Sequence, residues 1–199
     1  MNENIKALIK KIFFPIYISY KKIKDLYWSR HYILLVDKLY FQRLGKRMNW
    51  KNPIDLNEKI NWLKFHEDPI LWANLADKYK VRDYVSSRGL ESILLPIYGV
   101  WNSVADVIND WDSLPDEFVL KSNNGCGRVL IISKDNGGKA SIDREQLREQ
   151  LKEWLLENDY GIKDGELHYQ YIKNCIFAEK LIDKISRSIE GHKIVPSAL

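Results

Sequence analysis

The chain has 199 residues, 45% hydrophobic and 29% charged, with seven Trp and eleven Tyr, which is enough apolar material for a real core and excludes a disordered chain. Its 31 Lys and Arg against 27 Asp and Glu leave a formal charge of +4. With no RNA- or DNA-binding signature beside it, that mild excess does not mark a nucleic-acid binder, and none is expected as a partner.

Residues 1–50 read as a helical, basic and aromatic segment with lysine pairs at Lys10-Lys11 and Lys21-Lys22. The apolar run from Ile12 to Tyr20 contains Pro15 and lacks a small-residue cleavage site. It falls far short of the roughly 20 residues that span a bilayer. Between its lysines it suits either the membrane interface or a helix packed on the domain. Asn52-Pro53 marks a break, and Asp55 with Glu58 three residues on forms a capping-box pattern that opens a short helix through Ile60, Leu63 and Phe65. A second helix is expected from about Pro69 to Ser87, with Leu71, Leu75, Tyr79, Val81 and Val85 as its buried stripe, Lys78 on it, and Gly89 as its stop.

Ile93 to Tyr98 then reads as a short strand, Val104 to Trp111 as a helical turn or two, and Leu114-Pro115-Asp116 as a turn. Phe118-Val-Leu-Lys121 and Val129 to Ile132 flank a Gly-containing loop and predict a hairpin, closed by Gly137-Gly138. Ile142 to Glu157 predicts a helix opened by Asp143, with Leu147, Leu151, Trp154 and Leu155 on its apolar face. Cys175 to Ala178 predicts a buried strand that ends in Glu179-Lys180-Leu181-Ile182. The order helix, helix, strand, strand, strand, helix, strand indicates a mixed α/β (α+β) fold with an antiparallel hairpin covered by a helix, not a doubly wound parallel sheet.

The loop Asn124-Gly125-Cys126-Gly127 is too polar to be read as packing, and glycine amides without a Cβ can close over a phosphate chain while Lys121 supplies charge. It is neither a Walker A loop nor a GxGxxG turn opening a helix. Taken singly, Lys121 equally suits a strand-end lysine reaching solvent, and Asp77-Lys78 a solvated helix face. Cys126 and Cys175 have neither CxxC spacing nor a His-rich context, so no zinc site or disulfide framework follows, and a reducing cytoplasm is the expected location. The four histidines form no triad, and neither HExxH nor DxD is present.

Taken together, Asp77-Lys78, Leu95-Pro96, Phe118-Val-Leu-Lys121 with its glycine loop, and Phe177-Ala-Glu-Lys-Leu-Ile182 resemble the ATP-grasp superfamily. The blocks Leu56 to Lys64, Leu75 to Val85, Leu95 to Trp101 and Leu114 to Lys121 resemble its TupA-like branch, over roughly residues 50–197. Proteins of that branch are associated with teichuronic acid and other cell-surface polysaccharides. The resemblance implies that Lys78 and Lys121 contact ATP phosphates and that Asn124, Gly125, Cys126 and Gly127 form a lid. It implies that Glu179 accepts from the adenine amino group, Lys180 and Leu181 frame the ring, and Asp183 reaches the ribose.

It also implies a division into residues 1–50, a pre-ATP-grasp subdomain 51–112, a nucleotide-binding subdomain 113–185, and the start of a C-terminal lobe at 186–199. The Mg²⁺ ligands are expected in that lobe, which the chain lacks beyond Leu199, so no metal ligand is assigned. The implied chemistry is ATP-dependent activation of a carboxylate and its ligation to an amine on a glycan precursor, at the inner face of the membrane. A glycosyltransferase using a nucleotide sugar, and an inactive truncated scaffold, are the alternative expectations.

Overall fold

In a computed structural model the described residues are 19, 20, 23, 24, 26–156, 161 and 164–182. The apolar runs on either side of the glycine loop pair as an antiparallel hairpin, β2 (Phe118–Ser122) with β3 (Val129–Ile132). Strand β4 (Ile176–Glu179) lies along the other side of β2, and β1 (Ile97–Trp101) pairs with β4, giving a four-stranded antiparallel sheet in the order β1-β4-β2-β3.

Residues directly opposite in an antiparallel ladder share a face, so the register sorts the side chains. Phe118, Leu120, Ile132, Ile176 and Ala178 face one way and are essentially solvent-free. Helices α5 (Val104–Asp110) and α6 (Arg144–Leu156) cover them with Val107, Ile108, Leu147, Leu151 and Trp154 in one core, and the Trp111 ring meets Phe118 edge-on at 5.6 Å. Burying each such aliphatic side chain stabilises the fold by about 1.5–3 kcal/mol. β1 and α5, which precede residue 112, share this sheet and core with the strands that follow it.

Two helix starts appear where the sequence places them. The Asp143 carboxylate accepts from the amides of Glu145 (2.8 Å) and Gln146 (3.1 Å) and opens α6, whose buried positions are Leu147, Leu151 and Trp154. Asp55 and Glu58 form the reciprocal capping box of α2 (Leu56–His66). Asp55 also takes bonds from the Lys46 ammonium (2.7 Å) and the Tyr40 hydroxyl (3.1 Å), which tie α2 to α1 (Tyr32–Leu44).

Elsewhere the structure departs from expectation. The single helix from Pro69 to Ser87 is two, α3 (Pro69–Ala76) and α4 (Val81–Ser87), interrupted at Asp77 to Lys80. Its expected stripe fails in part, because Leu71 and Leu75 are exposed while Ala73 is buried. The strand expected at Ile93 to Tyr98 begins at Ile97, after a 3₁₀ turn at Glu91–Ile93. Pro96 has no N–H to donate to a ladder, and only its carbonyl is used, accepting the Lys180 amide at 3.0 Å. Among the described residues no helix is long and apolar enough to cross a membrane. The Ile12 to Tyr20 run, apart from Ser19 and Tyr20, lies outside the described residues, as do residues 186–199.

Truncating Leu151 to Ala is expected to cost about 2–5 kcal/mol, read from urea unfolding. The Lys46 ammonium and the Glu58 amide hold the Asp55 carboxyl down to about 2. A carboxyl depressed by folding stabilises above its unfolded value, about 3.9, and loses that contribution as pH falls through the folded one. The urea midpoint of the wild type should therefore exceed that of Asp55→Asn at pH 5, with the gap closing toward pH 2.

Candidate functional site

The break between α3 and α4 is made by Asp77. Its Oδ1 accepts from the amides of Tyr79 (2.9 Å) and Lys80 (3.0 Å), local bonds that compete with helix continuation. Its Oδ2 accepts from the side-chain amide of Asn123 at 2.8 Å, and the Lys78 amide donates to the Asn123 carbonyl at 2.8 Å. Asp77 and Asn123 are each 1% exposed. Asn123 also donates to the Lys173 carbonyl (3.0 Å) and accepts the Cys175 amide on its Oδ1 (2.8 Å), and its own amide donates to the Cys175 carbonyl at 3.0 Å. One side chain thus joins the 77–80 break, the end of β2 and the entry to β4.

The glycine loop rests on a packed polar base, contrary to its reading as unpacked. Asn124 is fully buried: its Oδ1 accepts from Ser122 (3.2 Å) and from Arg128 Nη1 (3.0 Å), and its Nδ2 donates to Asn174. Arg128 also donates to the Trp154 carbonyl (3.3 Å) and Asn174 to that of Leu155 (2.8 Å), anchoring the loop to the last turn of α6. The exposed tip is Cys126 and Gly127. Gly125 and Gly127 stand at φ of 72° and 76°, the left-handed region that side chains disfavour.

Over the other face of the sheet these pieces meet. Lys121, opposite Phe177 on β4 and Val129 on β3, donates its ammonium to Glu179. Lys78 donates its ammonium to the Gly125 carbonyl at the loop. The Tyr79 ring lies 5.9 Å from that of Phe177, which sets the 77–80 break over the same sheet face as Lys121. Burial lowers the Lys78 pKa, and the nearby charges of Arg128 and Lys121 push it the same way, against Cys126 and Asp77. Three cations therefore gather at the loop. Val129 and Ile131, about half-exposed on edge strand β3, give the same face an apolar shelf.

Of the residues singled out from the sequence, Lys78, Lys121, Gly125, Cys126, Gly127 and Glu179 are drawn to this face or its loop, and Asn124 lies beneath it. Glu179 is 7% exposed, and one of its carboxylate oxygens is already engaged by Lys121. The Lys180 amide is taken by Pro96; its side chain is exposed and Leu181 is half-buried. Asp183 lies outside the described residues. Lys78 sits on a helix break and not on a helix. Sequence reasoning missed Asp77, Asn123, Arg128 and Asn174 as the scaffold that positions the cations; the Asn-Asn pair before Gly125 was the available signal.

Replacing Asn123 with Ala leaves the Asp77 carboxylate and the Cys175 amide each one partner short and should cost about 2–4 kcal/mol in denaturant unfolding. Burial pushes the Cys175 thiol up to about 11, while Cys126 is exposed. Thiol titration of the native protein at pH 8 should therefore modify one of the two cysteines, identified as Cys126 by peptide mapping, and both after unfolding.

No curated protein and no solved structure matches the chain. The family description TupA-like ATPgrasp matches residues 58–194, which include the α3–α4 break, both lysines, the glycine loop and β4. The match takes in well over half of the 199 residues, and the chain belongs to the TupA-like ATPgrasp family.

Proposed function

We propose that the open face of the sheet binds the triphosphate of ATP, with Lys78 and Lys121 taking the phosphates beneath the Gly125–Gly127 tip. The convergence of Lys78 and Lys121 on one loop and one sheet face, the first on the Gly125 carbonyl and the second on Glu179 between Phe177 and Val129, carries this reading. Like charges held together in a partly desolvated place are costly unless an anion joins them. Their resident partners, the Gly125 carbonyl and the Glu179 carboxylate, hold the ammoniums in place until a phosphate takes over. The shelf of Val129 and Ile131 offers an apolar surface for the base.

ATP-grasp proteins generally use ATP and Mg²⁺. Among the described residues no group of three or more His, Cys, Asp or Glu could hold a metal ion, so no step here is assigned to one. The chemistry we infer is transfer of the γ-phosphoryl group to a carboxylate, followed by attack of an amine that forms the amide and releases phosphate. The acceptor is a precursor of a cell-surface polysaccharide. Lys78 and Lys121 would neutralise charge gathering on the phosphoryl oxygens, the largest electrostatic demand of that step. Exposed Tyr27, Ile33, Leu34 and Phe41 beside Arg30 and Lys38 support work against an anionic membrane surface.

Calorimetry with a non-hydrolysable ATP analogue tests the reading. Lys121→Met and Lys78→Met should each weaken binding about 10- to 100-fold, the loss of one charge-assisted hydrogen bond. Stabilisation by a UDP-sugar but not by ATP would shift the case to a glycosyltransferase.

A further inference from the structure

Helix α1 is apolar on two sides. Inward, its Val36 and Tyr40 are buried with Met48 against Trp50, Trp62 and Phe65. Outward, its Ile33, Leu34, Phe41 and Leu44 are 51%, 55%, 45% and 47% exposed. At 3.6 residues per turn these four form one stripe about 100° wide. Residues 26–30, also helical, add the half-exposed Leu26 and Tyr27. A helix apolar all round is ordinarily covered on every side, and a contiguous exposed apolar face marks a contact surface.

Charge says what covers it. The formal +4 is unevenly spread: residues 1–50 hold eleven Lys and Arg against three Asp and Glu, and residues 51–199 hold twenty against twenty-four. A basic segment thus adjoins an acidic remainder. Between residues 26 and 50 the acid is Asp37 alone, and its carboxylate accepts from Arg47 (2.6 Å) and from the Met48 amide (3.1 Å). Lys38, four residues after Leu34 and three before Phe41, borders the stripe, and Arg30 precedes it; both are exposed. The Lys38 ammonium stands 5.1 Å from the centre of the Trp28 ring.

A second copy of the chain on this face would bring two basic segments together, which their charge opposes. A soluble polyanion would engage the cations and leave the aliphatic side chains in water. An anionic lipid surface engages both, with cations at the headgroups and Leu, Ile and Phe at the acyl boundary. The same surface repels the acidic remainder, which turns the α1 face toward the lipid.

We propose that the outer face of α1, together with residues 26–30, docks on an anionic bilayer surface, with Ile33, Leu34, Phe41 and Leu44 at the acyl boundary and Arg30 and Lys38 at the headgroups. This deepens the membrane-side work proposed above by naming the element, the lipid charge and the orientation, and it is independent of the nucleotide reading.

The test is sedimentation of the full chain with vesicles of phosphatidylcholine, pure or with about one-third phosphatidylglycerol. The anionic vesicles should bind it at least about tenfold more tightly than the neutral ones, and added salt should weaken that binding. Leu34→Ser with Phe41→Ser, and separately Arg30→Gln with Lys38→Gln, should each weaken binding about tenfold or more. These four side chains face outward, so an unchanged urea midpoint confirms that the variants fold. Ile93→Ser, at an apolar position 66% exposed elsewhere on the surface, should bind as the wild type does. Lys121→Met should keep vesicle binding, and the Leu34→Ser, Phe41→Ser variant should keep binding of the ATP analogue, so failure of either reading leaves the other standing. The proposal is overturned if anionic vesicles do not bind, if the Leu34→Ser, Phe41→Ser variant binds them equally well, or if inorganic polyphosphate binds as tightly as they do. It is also overturned if the lipid-free chain is a dimer that those two substitutions dissociate.

Discussion

A buried carboxylate must be matched by donors, and Asp77 is matched by three: two amides of its own turn and the side chain of Asn123. The last of these bonds does the long-range work. The two local bonds stop a helix that the residues around Asp77 would otherwise continue, and the Asn123 bond fixes the stopped end against the loop after β2. Lys78 is thereby lifted off a solvated helix face and carried to the sheet face that bears Lys121. Because Asn123 also uses its backbone and its other side-chain groups on the entry to β4, the register of β2 against β4 and the placing of Lys78 are set by one residue.

The same reasoning explains why the glycine loop is stiff at its base and open at its tip. Ser122, Asn123 and Asn124 are polar yet solvent-free, and each finds partners within the fold, so their burial carries no unsatisfied group. Arg128 takes the far side of the loop to the end of α6. The exposed part of the loop is Cys126 and Gly127. A loop held this way can change its tip over a ligand without disturbing the strands that carry the cations.

What was legible in the sequence was local. The Asp55–Glu58 box, the Asp143 start of α6 and the stripe Leu147, Leu151, Trp154 follow from contacts within a few residues, and they appear where expected. The hairpin was legible because two apolar runs flank a glycine turn, and the family resemblance rested on blocks kept in order. The break at Asp77 was not legible because its carboxylate is buried against a partner 46 residues away, and helical periodicity registers neither that bond nor the local ones that stop the helix. The exposure of Leu71 and Leu75 follows from the same break, since α3 no longer shares a stripe with α4. The polar base of the loop was misjudged because composition alone does not say whether polar side chains have partners inside.

The central claim is that the Lys78 and Lys121 ammoniums face one triphosphate. An acyl-phosphate derivative of ATP, which acylates lysines lying against the nucleotide's phosphates, puts that claim to the most direct test when the modified peptides are mapped by mass spectrometry. The account predicts acylation of both Lys78 and Lys121, suppressed by excess ATP. Modification of other lysines only, or labelling of these two that ATP fails to suppress, would contradict it.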